Sequence, residues 1–292
     1  MAISYDHPLY RPPSEAQSLI FQATLGCSHN GCRFCYMYKD KQFRVRPWEE
    51  LRAEIDAAAR LFPDATRVFL ADGDAFALDA ARLERILDHL GRSFPRLGRV
   101  AIYAGPRNLT TKSVAEMRRL RERKLTLLYY GVETGDPELL ARIGKGATPQ
   151  EMAAGCRRAH EAGLKLSITV ILGLAGREGG ARHARLTAEL LGRIGPRYLS
   201  VLSLMLGPLR ERYAAEMGPG FEFNTPGDDV RELRALVENL TLDRCIFRSN
   251  HASNRLALAG TLIKDKPALL AAIDRALCDP GEFLRPEWMR GL

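Results

Sequence analysis

The sequence predicts an α/β protein whose parallel strands form a partial (β/α)6 barrel, followed by a carboxyl-terminal extension. Short apolar runs of strand type alternate with segments of helical periodicity through residues 18–206, which indicates a parallel sheet with right-handed crossovers. Glycine-rich and polar stretches follow the apolar runs, where barrels and doubly wound sheets both place their ligands. No G-x-G-x-x-G sequence is present, which disfavours the doubly wound alternative.

Each predicted strand is a short run of apolar and β-branched residues that ends at a turn. These runs cover residues 18–24, 67–71, 99–104, 125–130, 165–172 and 198–204. The clearest helix starts are two capping boxes, Ser113 with Glu116 and Thr148 with Glu151. A short helix begins at Asp136, and longer helical segments lie near residues 47–62, 78–90, 113–124, 148–162, 181–194, 228–240 and 265–277.

The pattern of the chain changes at two points, and these points define the predicted domains. Residues 1–17 form an amino-terminal extension, and residues 18–206 form the barrel. From residue 207 the βα alternation stops, and Gly, Pro and Asn become frequent. We expect residues 207–292 to form an extension that covers the mouth of the barrel.

The composition is that of an ordinary globular protein, with 46% hydrophobic and 27% charged residues. The first residues show no apolar core of signal-peptide length, and no later run approaches the ~18 apolar residues of a membrane helix. The sequence therefore predicts a cytoplasmic protein that does not act at a membrane.

The net charge of +8 raises the question of nucleic-acid binding. The most basic run, residues 118–124, is interrupted by an acidic residue and has no interleaved aromatic residues. That pattern favours a solvated helix face over a nucleic-acid surface.

Three cysteines, Cys27, Cys32 and Cys35, lie within nine residues after the first predicted strand. Such density indicates a metal site, but iron–sulfur cubes and tetrahedral zinc sites normally take four protein ligands. The other three cysteines are scattered singly along the chain. Two interpretations remain open: a cube with one open iron, or a zinc site completed by His29 or a distant histidine.

Around these cysteines the chain resembles the radical S-adenosylmethionine (radical SAM) superfamily, and the resemblance spans residues 19–206. It is nearest to the coproporphyrinogen-oxidase-like and tRNA-modifying branches, because residues 131–135 match their Gly-x-Glu-Ser/Thr-Gly segment. One difference is that four residues, rather than the usual three, separate Cys27 from Cys32.

The resemblance implies a cofactor pair and a reaction. Cys27, Cys32 and Cys35 bind a [4Fe-4S] cluster, and S-adenosylmethionine chelates the fourth iron. Reductive cleavage of S-adenosylmethionine then gives a 5′-deoxyadenosyl radical, which abstracts hydrogen from a substrate. Such an enzyme is oxygen-sensitive and needs an electron donor, here expected to be of the flavodoxin or ferredoxin type.

The resemblance also assigns candidate residues to parts of S-adenosylmethionine, each with a plain structural alternative. Gly73 and Asp74 match the segment that holds the methionine amino group, although the same residues would suit a tight turn. Glu133 matches the ligand of the ribose hydroxyls, and a helix-capping role is its alternative. The remaining candidates are expected around the adenine or the methionine carboxylate, with loop or core packing as the alternative; they are Phe34, Ser167, Thr169, Ile171, Leu172 and Met205.

The substrate is the least determined part of the prediction. Residues 247–254 are unusually polar, and we expect them to fold over the barrel mouth, although a hydrogen-bonded turn would explain the same composition. The candidate substrate contacts are Tyr36, Tyr38, Tyr103, Arg107, Arg248, Asn250, His251 and Asn254. The leading prediction is a radical SAM enzyme acting on a small molecule; the alternatives are an RNA-modifying radical SAM enzyme and a zinc- or cluster-containing RNA-binding module.

Overall fold

The computed structural model describes residues 4–291; residues 1–3 and residue 292, which belong to the two predicted extensions, lie outside the described residues. The strands are β1 Leu19–Gln22, β2 Thr24–Leu25, β3 Arg44–Val45, β4 Arg67–Ala71, β5 Arg99–Ala104, β6 Leu125–Glu133, β7 Lys165–Leu172, β8 Tyr198–Ser203, β9 Cys245–Ser249 and β10 Leu258–Leu262. The α-helices are α1 Trp48–Leu61, α2 Ala80–Ser93, α3 Asn108–Thr111, α4 Val114–Glu122, α5 Pro137–Arg142, α6 Pro149–Glu161, α7 Gly176–Ile194, α8 Arg210–Met217, α9 Pro226–Asn239, α10 Lys266–Cys278 and α11 Pro280–Phe283.

The main sheet has eight strands in the order β1-β4-β5-β6-β7-β8-β9-β10. The pairs β1–β4, β4–β5, β5–β6, β7–β8 and β8–β9 are parallel, and the terminal β9–β10 pair is antiparallel. A separate antiparallel pair joins β2 to β3. Helices alternate with the strands, so the predicted α/β fold of partial-barrel type is confirmed.

The six predicted strands are β1 and β4 to β8, and both predicted capping boxes form. Sequence reasoning missed the hairpin of β9 and β10. In β9, Cys245, Phe247 and Ser249 are buried and alternate with more exposed residues, which is the period of a half-buried strand. Helices and turns precede it without a further βα unit, so this strand did not fit the alternation that identified the others.

The chain divides into two compact units. One comprises the described residues up to Asn30 together with Met37–Tyr130 and Ala154–Leu166. The other comprises Gly31–Tyr36, Gly131–Ala153 and the chain from Ser167 onward. The predicted boundaries at residues 17 and 206 are not tested by this division and remain predictions.

The first unit is built on the parallel strands β1, β4 and β5, and the register places the fully buried aromatic residues Phe21 and Phe69 on opposite faces of the sheet. Glu15, from the predicted amino-terminal extension, is buried, and its carboxylate is held by Arg99 at 2.6 Å and by the hydroxyl of Tyr129 at 2.6 Å. This part of the extension therefore packs as part of the unit.

The second unit contains the parallel strands β7, β8 and β9 and most of the carboxyl-terminal helices. Helices α7 and α9 pack together in it. Part of its core is an apolar group that we call the Phe34 cluster, formed by Phe34, Leu139, Ile143, Leu174, Leu206, Tyr213 and Met217. Among residues 4–291, no helix is long and apolar enough to span a bilayer.

Candidate functional site

The cysteine loop follows β1 and the short strand β2, and Cys27, Cys32 and Cys35 are all half-buried. Asn30 lies in the left-handed region with φ +31, and its side-chain amide donates to the carbonyl of Tyr38 at 2.8 Å. This turn accommodates the four-residue spacing between the first two cysteines. Cys32 and Cys35 pack against the Phe34 cluster in the second unit.

In the first unit, Asp74 connects three loops. Its carboxylate accepts hydrogen bonds from the Ser28 hydroxyl, from the Asn108 side-chain amide and from the backbone N–H of Gly105 at 2.7 Å. Asp74 is fully buried, and this burial raises the pKa of its carboxyl although the hydrogen bonds from Ser28 and Gly105 favour the charged form. The residue therefore anchors the start of the cysteine loop, and its predicted contact with S-adenosylmethionine stays a prediction.

Gly73 precedes Asp74 and lies against the ring of Tyr38. A Cβ atom at this position would collide with Cδ2 of that ring, at 2.7 Å. The close approach therefore requires glycine here.

In the second unit, Glu133 ends β6 in the left-handed conformation, with φ +64. Its Oε1 atom accepts from Lys145 Nζ at 2.9 Å, and both side chains are buried. Its Oε2 atom is also buried and has no hydrogen-bond partner among the residues that the structure describes. A Cβ at Gly131 would collide with this carboxylate, so the Gly-x-Glu spacing leaves room for the acid.

The same turn that carries Lys145 also holds the second half of the cysteine loop. The Arg33 N–H donates to the carbonyl of Ile143 at 2.9 Å, and a Cβ at Gly144 would come within 2.9 Å of the Gly31 carbonyl oxygen. Lys145 Nζ lies 6.0 Å from the centre of the Phe34 ring. The structure thus brings Phe34, Lys145 and the unsatisfied oxygen of Glu133 into one site beside Cys32 and Cys35.

A buried hydrogen-bonded pair, His183 and Glu232, lies behind Glu133. His183 Nδ1 is 2.5 Å from Glu232 Oε1, and His183 Nε2 is 3.3 Å from the backbone carbonyl oxygen of Glu133. Both side chains are almost fully buried. The pair supports the left-handed backbone at Glu133 from α7 and α9.

Strand β7 carries four of the predicted cofactor residues. Ser167, Thr169 and Ile171 alternate along one face, and the latter two are half-buried. Ile171 packs against the Phe34 cluster, whereas Leu172 points to the other face and is buried; their predicted contacts with the adenine stay predictions. Met205 follows β8 and lines a cavity of the second unit.

The predicted substrate residues divide between the two units: Tyr38, Tyr103 and Arg107 belong to the first, and the others belong to the second. Tyr38 is buried and packs edge-to-face on Tyr10, with ring centroids 5.5 Å apart. Burial raises the pKa of Tyr103, which packs in the same way on Phe69 at 5.0 Å. The ring of Tyr36 lies beside Gly207 in the second unit, and Arg107 is exposed in the first.

The side chains of the polar segment at residues 247–254 range from exposed to buried. Arg248 and Asn250 are exposed. His251 is half-buried and bonds to the Ser253 hydroxyl at 2.9 Å, and burial lowers the pKa of its imidazole. Asn254 is buried, with its amide donating to the Val201 carbonyl at 2.7 Å and its oxygen accepting from Ser203 at 3.1 Å. Their predicted contacts with substrate remain predictions.

Sequence reasoning did not single out several of the residues that shape these sites: Lys145, Ser28, Asn108, His183 and Glu232. The only available signal was for Lys145, which lies in the Ile-Gly-Lys-Gly segment that accompanies the Gly-x-Glu match. The partners of the others are 46 to 49 residues away in sequence, or 34 for Asn108, so no local pattern reports them.

Within residues 4–291, no group of three or more His, Cys, Asp or Glu side chains is already arranged to hold a metal ion. The chemistry of the cysteine loop still suits an iron–sulfur cluster, because three thiols on one short loop are the ligand type that such clusters take. The orphaned buried oxygen of Glu133 suits a ligand that carries hydroxyl donors.

Comparison with known proteins identifies relatives of the chain. The heme chaperone HemW of Bacillus subtilis (strain 168) is 24% identical over 147 residues, which are 50% of this chain and 38% of that protein. Coproporphyrinogen III oxidase (HemN) from Escherichia coli has a similar structure, with a TM-score of 0.60 and 20% identity over 76% of this chain and 51% of that one. For methylornithine synthase (PylB) the TM-score is 0.53, with 17% identity over 78% of this chain and 64% of that one.

This chain therefore spans less than two thirds of the length of each of these relatives. The family model of the radical SAM superfamily matches residues 21–179, which contain the cysteine loop and the segment around Glu133. Because that match covers more than half of the 292 residues, the chain belongs to the radical SAM superfamily, whose cofactors are a [4Fe-4S] cluster and S-adenosylmethionine.

Proposed function

We propose that this chain is an enzyme that cleaves S-adenosylmethionine reductively and uses the product radical to abstract hydrogen from a small molecule. Reductive cleavage of S-adenosylmethionine is general to the family. In this proposal Cys27, Cys32 and Cys35 hold the cluster. The observation that carries the proposal is the buried Oε2 atom of Glu133, which lacks a partner beside Phe34 and Lys145.

The ribose of S-adenosylmethionine can provide the hydrogen-bond donors that Glu133 Oε2 lacks. A buried acceptor without a partner costs about 1–3 kcal/mol, and more when it is charged. A ribose offers two adjacent hydroxyl donors, and a carboxylate can accept both. Lys145 fixes the orientation of the carboxylate through its hydrogen bond to Oε1, while Phe34 and Ile171 provide apolar surface for the adenine.

When bound, the cluster and S-adenosylmethionine together supply a 5′-deoxyadenosyl radical for hydrogen abstraction. The protein has to orient these groups and keep water away. Phe34, Leu206 and Leu174 of the Phe34 cluster are buried and provide a dry wall next to Cys32 and Cys35. Asp74 holds the start of the cysteine loop through Ser28. Members of this family act on substrates with a reductant, and we propose a donor of the flavodoxin or ferredoxin type here.

Anaerobic reconstitution tests the proposal. The protein is expected to bind about four irons per chain and to release 5′-deoxyadenosine when reduced in the presence of S-adenosylmethionine. Replacing Cys27, Cys32 and Cys35 by alanine should abolish both. Stoichiometric zinc without any nucleoside product would instead support the zinc-containing RNA-binding alternative.

Glu133→Gln tests the assigned ribose contact. Hydrogen bonds to a charged group are worth about 1.5–3 kcal/mol, so this variant should bind S-adenosylmethionine at least about tenfold more weakly while keeping its iron. Glu189→Gln removes an exposed carboxylate from α7 and is the matched control. Unchanged affinity in Glu133→Gln would overturn the assignment of this residue.

A further inference from the structure

A cavity of about 440 Å³ lies in the second unit, between the loops after β7 and β8 and the carboxyl-terminal part of the chain. Its volume is within the range of small-molecule sites. The residues that matter for its chemistry are Gly173, Met205, Asn224, Asp229, Arg255 and Arg290.

Two buried polar atoms in the walls of this cavity lack hydrogen-bond partners among the described residues. They are the acceptor Asn224 Oδ1 and the donor Arg255 Nε. The orientation of the Asn224 amide is fixed, because its Nδ2 donates to Asp229 Oδ1 at 3.0 Å and to Glu232 Oε2 at 2.8 Å. Buried polar atoms are normally satisfied, so these two indicate a ligand that brings both a donor and an acceptor.

The cavity is also lined by two side chains of opposite charge, Asp229 and Arg255. Arg255 Nε lies 3.5 Å from Asp229 Oδ2, too far for a good hydrogen bond. Burial raises the pKa of Asp229 to about 6, and the neighbouring Glu232 acts in the same direction, although Arg290 and Arg255 favour the charged form. A cationic ligand group beside Asp229 would also favour the charged form.

Arg255 and Arg290 already bind one carboxylate of the protein, that of Glu287. Glu287 is largely exposed, and its Oε2 atom lies 2.6 Å from Arg255 Nη2 and 2.9 Å from Arg290 Nη1. Arg290 is fixed by the carbonyl of Ser253 at 2.7 Å. The Nε–H group of Arg255 has no hydrogen-bond partner among the described residues and can donate to a second carboxylate. Leu204, Leu206 and Phe223 line the same cavity and provide an apolar surface for a carbon skeleton.

We propose that this cavity binds the zwitterionic head of an α-amino acid, with its carboxylate on Arg255 Nε–H and its ammonium on Asn224 Oδ1 and Asp229. The amino acid group is that of a free amino acid. The methionyl end of S-adenosylmethionine is expected at the cluster iron and at Gly73 and Asp74 instead, so this site does not rest on the proposed function.

Calorimetric titration of the anaerobically purified, cluster-loaded protein tests the proposal with compounds that share one carbon skeleton. L-norleucine carries both poles, pentylamine lacks the carboxylate, and hexanoate lacks the ammonium. Norleucine should bind at least about tenfold more tightly than either analogue. Equal affinity for all three, or binding of none of them and of no other protein-forming L-amino acid, would overturn the proposal.

Two variants test which residue binds the carboxylate of the ligand and which binds its ammonium group. Arg255→Gln should remove the advantage of norleucine over pentylamine, and Asp229→Asn should remove its advantage over hexanoate. Arg244→Gln changes an exposed arginine outside the cavity and should alter neither. Thermal unfolding followed by circular dichroism shows whether each variant is folded. Folded variants that keep the norleucine affinity would contradict the assignment.

Competition separates this site from that of the cofactor. If norleucine and S-adenosylmethionine bind together, the cavity is a site for a free amino acid, as proposed. If S-adenosylmethionine displaces norleucine and Arg255→Gln weakens the binding of both, the proposal of a separate site is overturned. Formation of 5′-deoxyadenosine is measured separately, so failure of the proposed function can be told apart from failure of this site.

Discussion

At the scale of single residues, the pair of Glu133 and Lys145 is the most consequential contact in the second unit. Both side chains are buried, and their charged atoms are 2.9 Å apart. Taking two charges out of water is expensive, and their attraction offsets this cost only while both partners are present. The pair therefore holds a carboxylate in a buried position from which a ligand can be bound.

Lys145→Met should be strongly destabilising because it leaves Glu133 as an uncompensated buried charge. We expect a loss of about 3–5 kcal/mol in the free energy of unfolding, measured with urea. Arg185→Met breaks the exposed pair with Glu189, at 2.8 Å, and should cost less than about 1 kcal/mol. Equal losses in the two variants would show that the buried pair contributes no more to the free energy of unfolding than the exposed pair does.

Asp229 makes stability depend on pH. Burial raises its pKa in the folded protein from 3.8 to about 6, so between these values the folded state binds more protons than the unfolded state. Stability should therefore fall as pH rises through this window, by on the order of 3 kcal/mol from this group alone.

The comparison of wild type with Asp229→Asn isolates this effect, because the amide keeps the shape and does not titrate. The variant should gain in unfolding free energy relative to wild type as the pH rises from about 4 to 7, measured by urea unfolding at several pH values. A constant difference across this range would contradict the raised pKa of Asp229.

At the scale of elements, Asp74 joins the loop after β4 to the loop after β5 and to the start of the cysteine loop. The carboxyl ends of parallel strands meet at one edge of a sheet, so a single acid can fix several loops there. Ser28 adjoins Cys27, which connects this anchor to the proposed ligands of the cluster.

Asp74→Ala should leave three donors without their acceptor. The expected cost is on the order of 3 kcal/mol, and less iron should remain bound after anaerobic gel filtration. Asp79→Ala removes the exposed N-cap of α2, which bonds the Arg82 N–H at 2.7 Å, and should cost about 1 kcal/mol. Full iron retention in Asp74→Ala would show that the anchor does not serve the cysteine loop.

At the scale of the whole molecule, the net charge of +8 is partly neutralised by local pairing. In the basic run at residues 118–124, Arg119 lies 2.8 Å from Glu84 and Arg123 lies 2.9 Å from Asp88. These contacts agree with the prediction of a solvated helix face, since paired arginines have less charge to offer to phosphates.

We therefore expect no retention of single-stranded RNA at about 150 mM salt, measured by electrophoretic mobility shift. Weak binding at low salt would be consistent with the net charge alone. Micromolar binding at the higher salt, with a steep dependence on salt concentration, would favour the RNA-modifying alternative.

The sequence predicted the features that depend on neighbours along the chain. The alternation of β1 and β4 to β8 with helices, and the capping boxes at Ser113 and Thr148, come from periodicity and short-range hydrogen bonds. The cysteine spacing and the Gly-x-Glu segment predicted the family, which the comparisons confirm. The roles assigned to individual cofactor and substrate residues remain predictions.

Only the tertiary structure decided which groups meet. It shows that one oxygen of Glu133 is paired with Lys145 while the other is left over, and that both oxygens of Asp74 are engaged by Ser28, Gly105 and Asn108. It also forms the cavity that contains Asn224, Asp229 and Arg255. The physical reason is that periodicity and spacing are local properties of a chain, whereas burial and the pairing of charges depend on residues that folding brings together from distant positions.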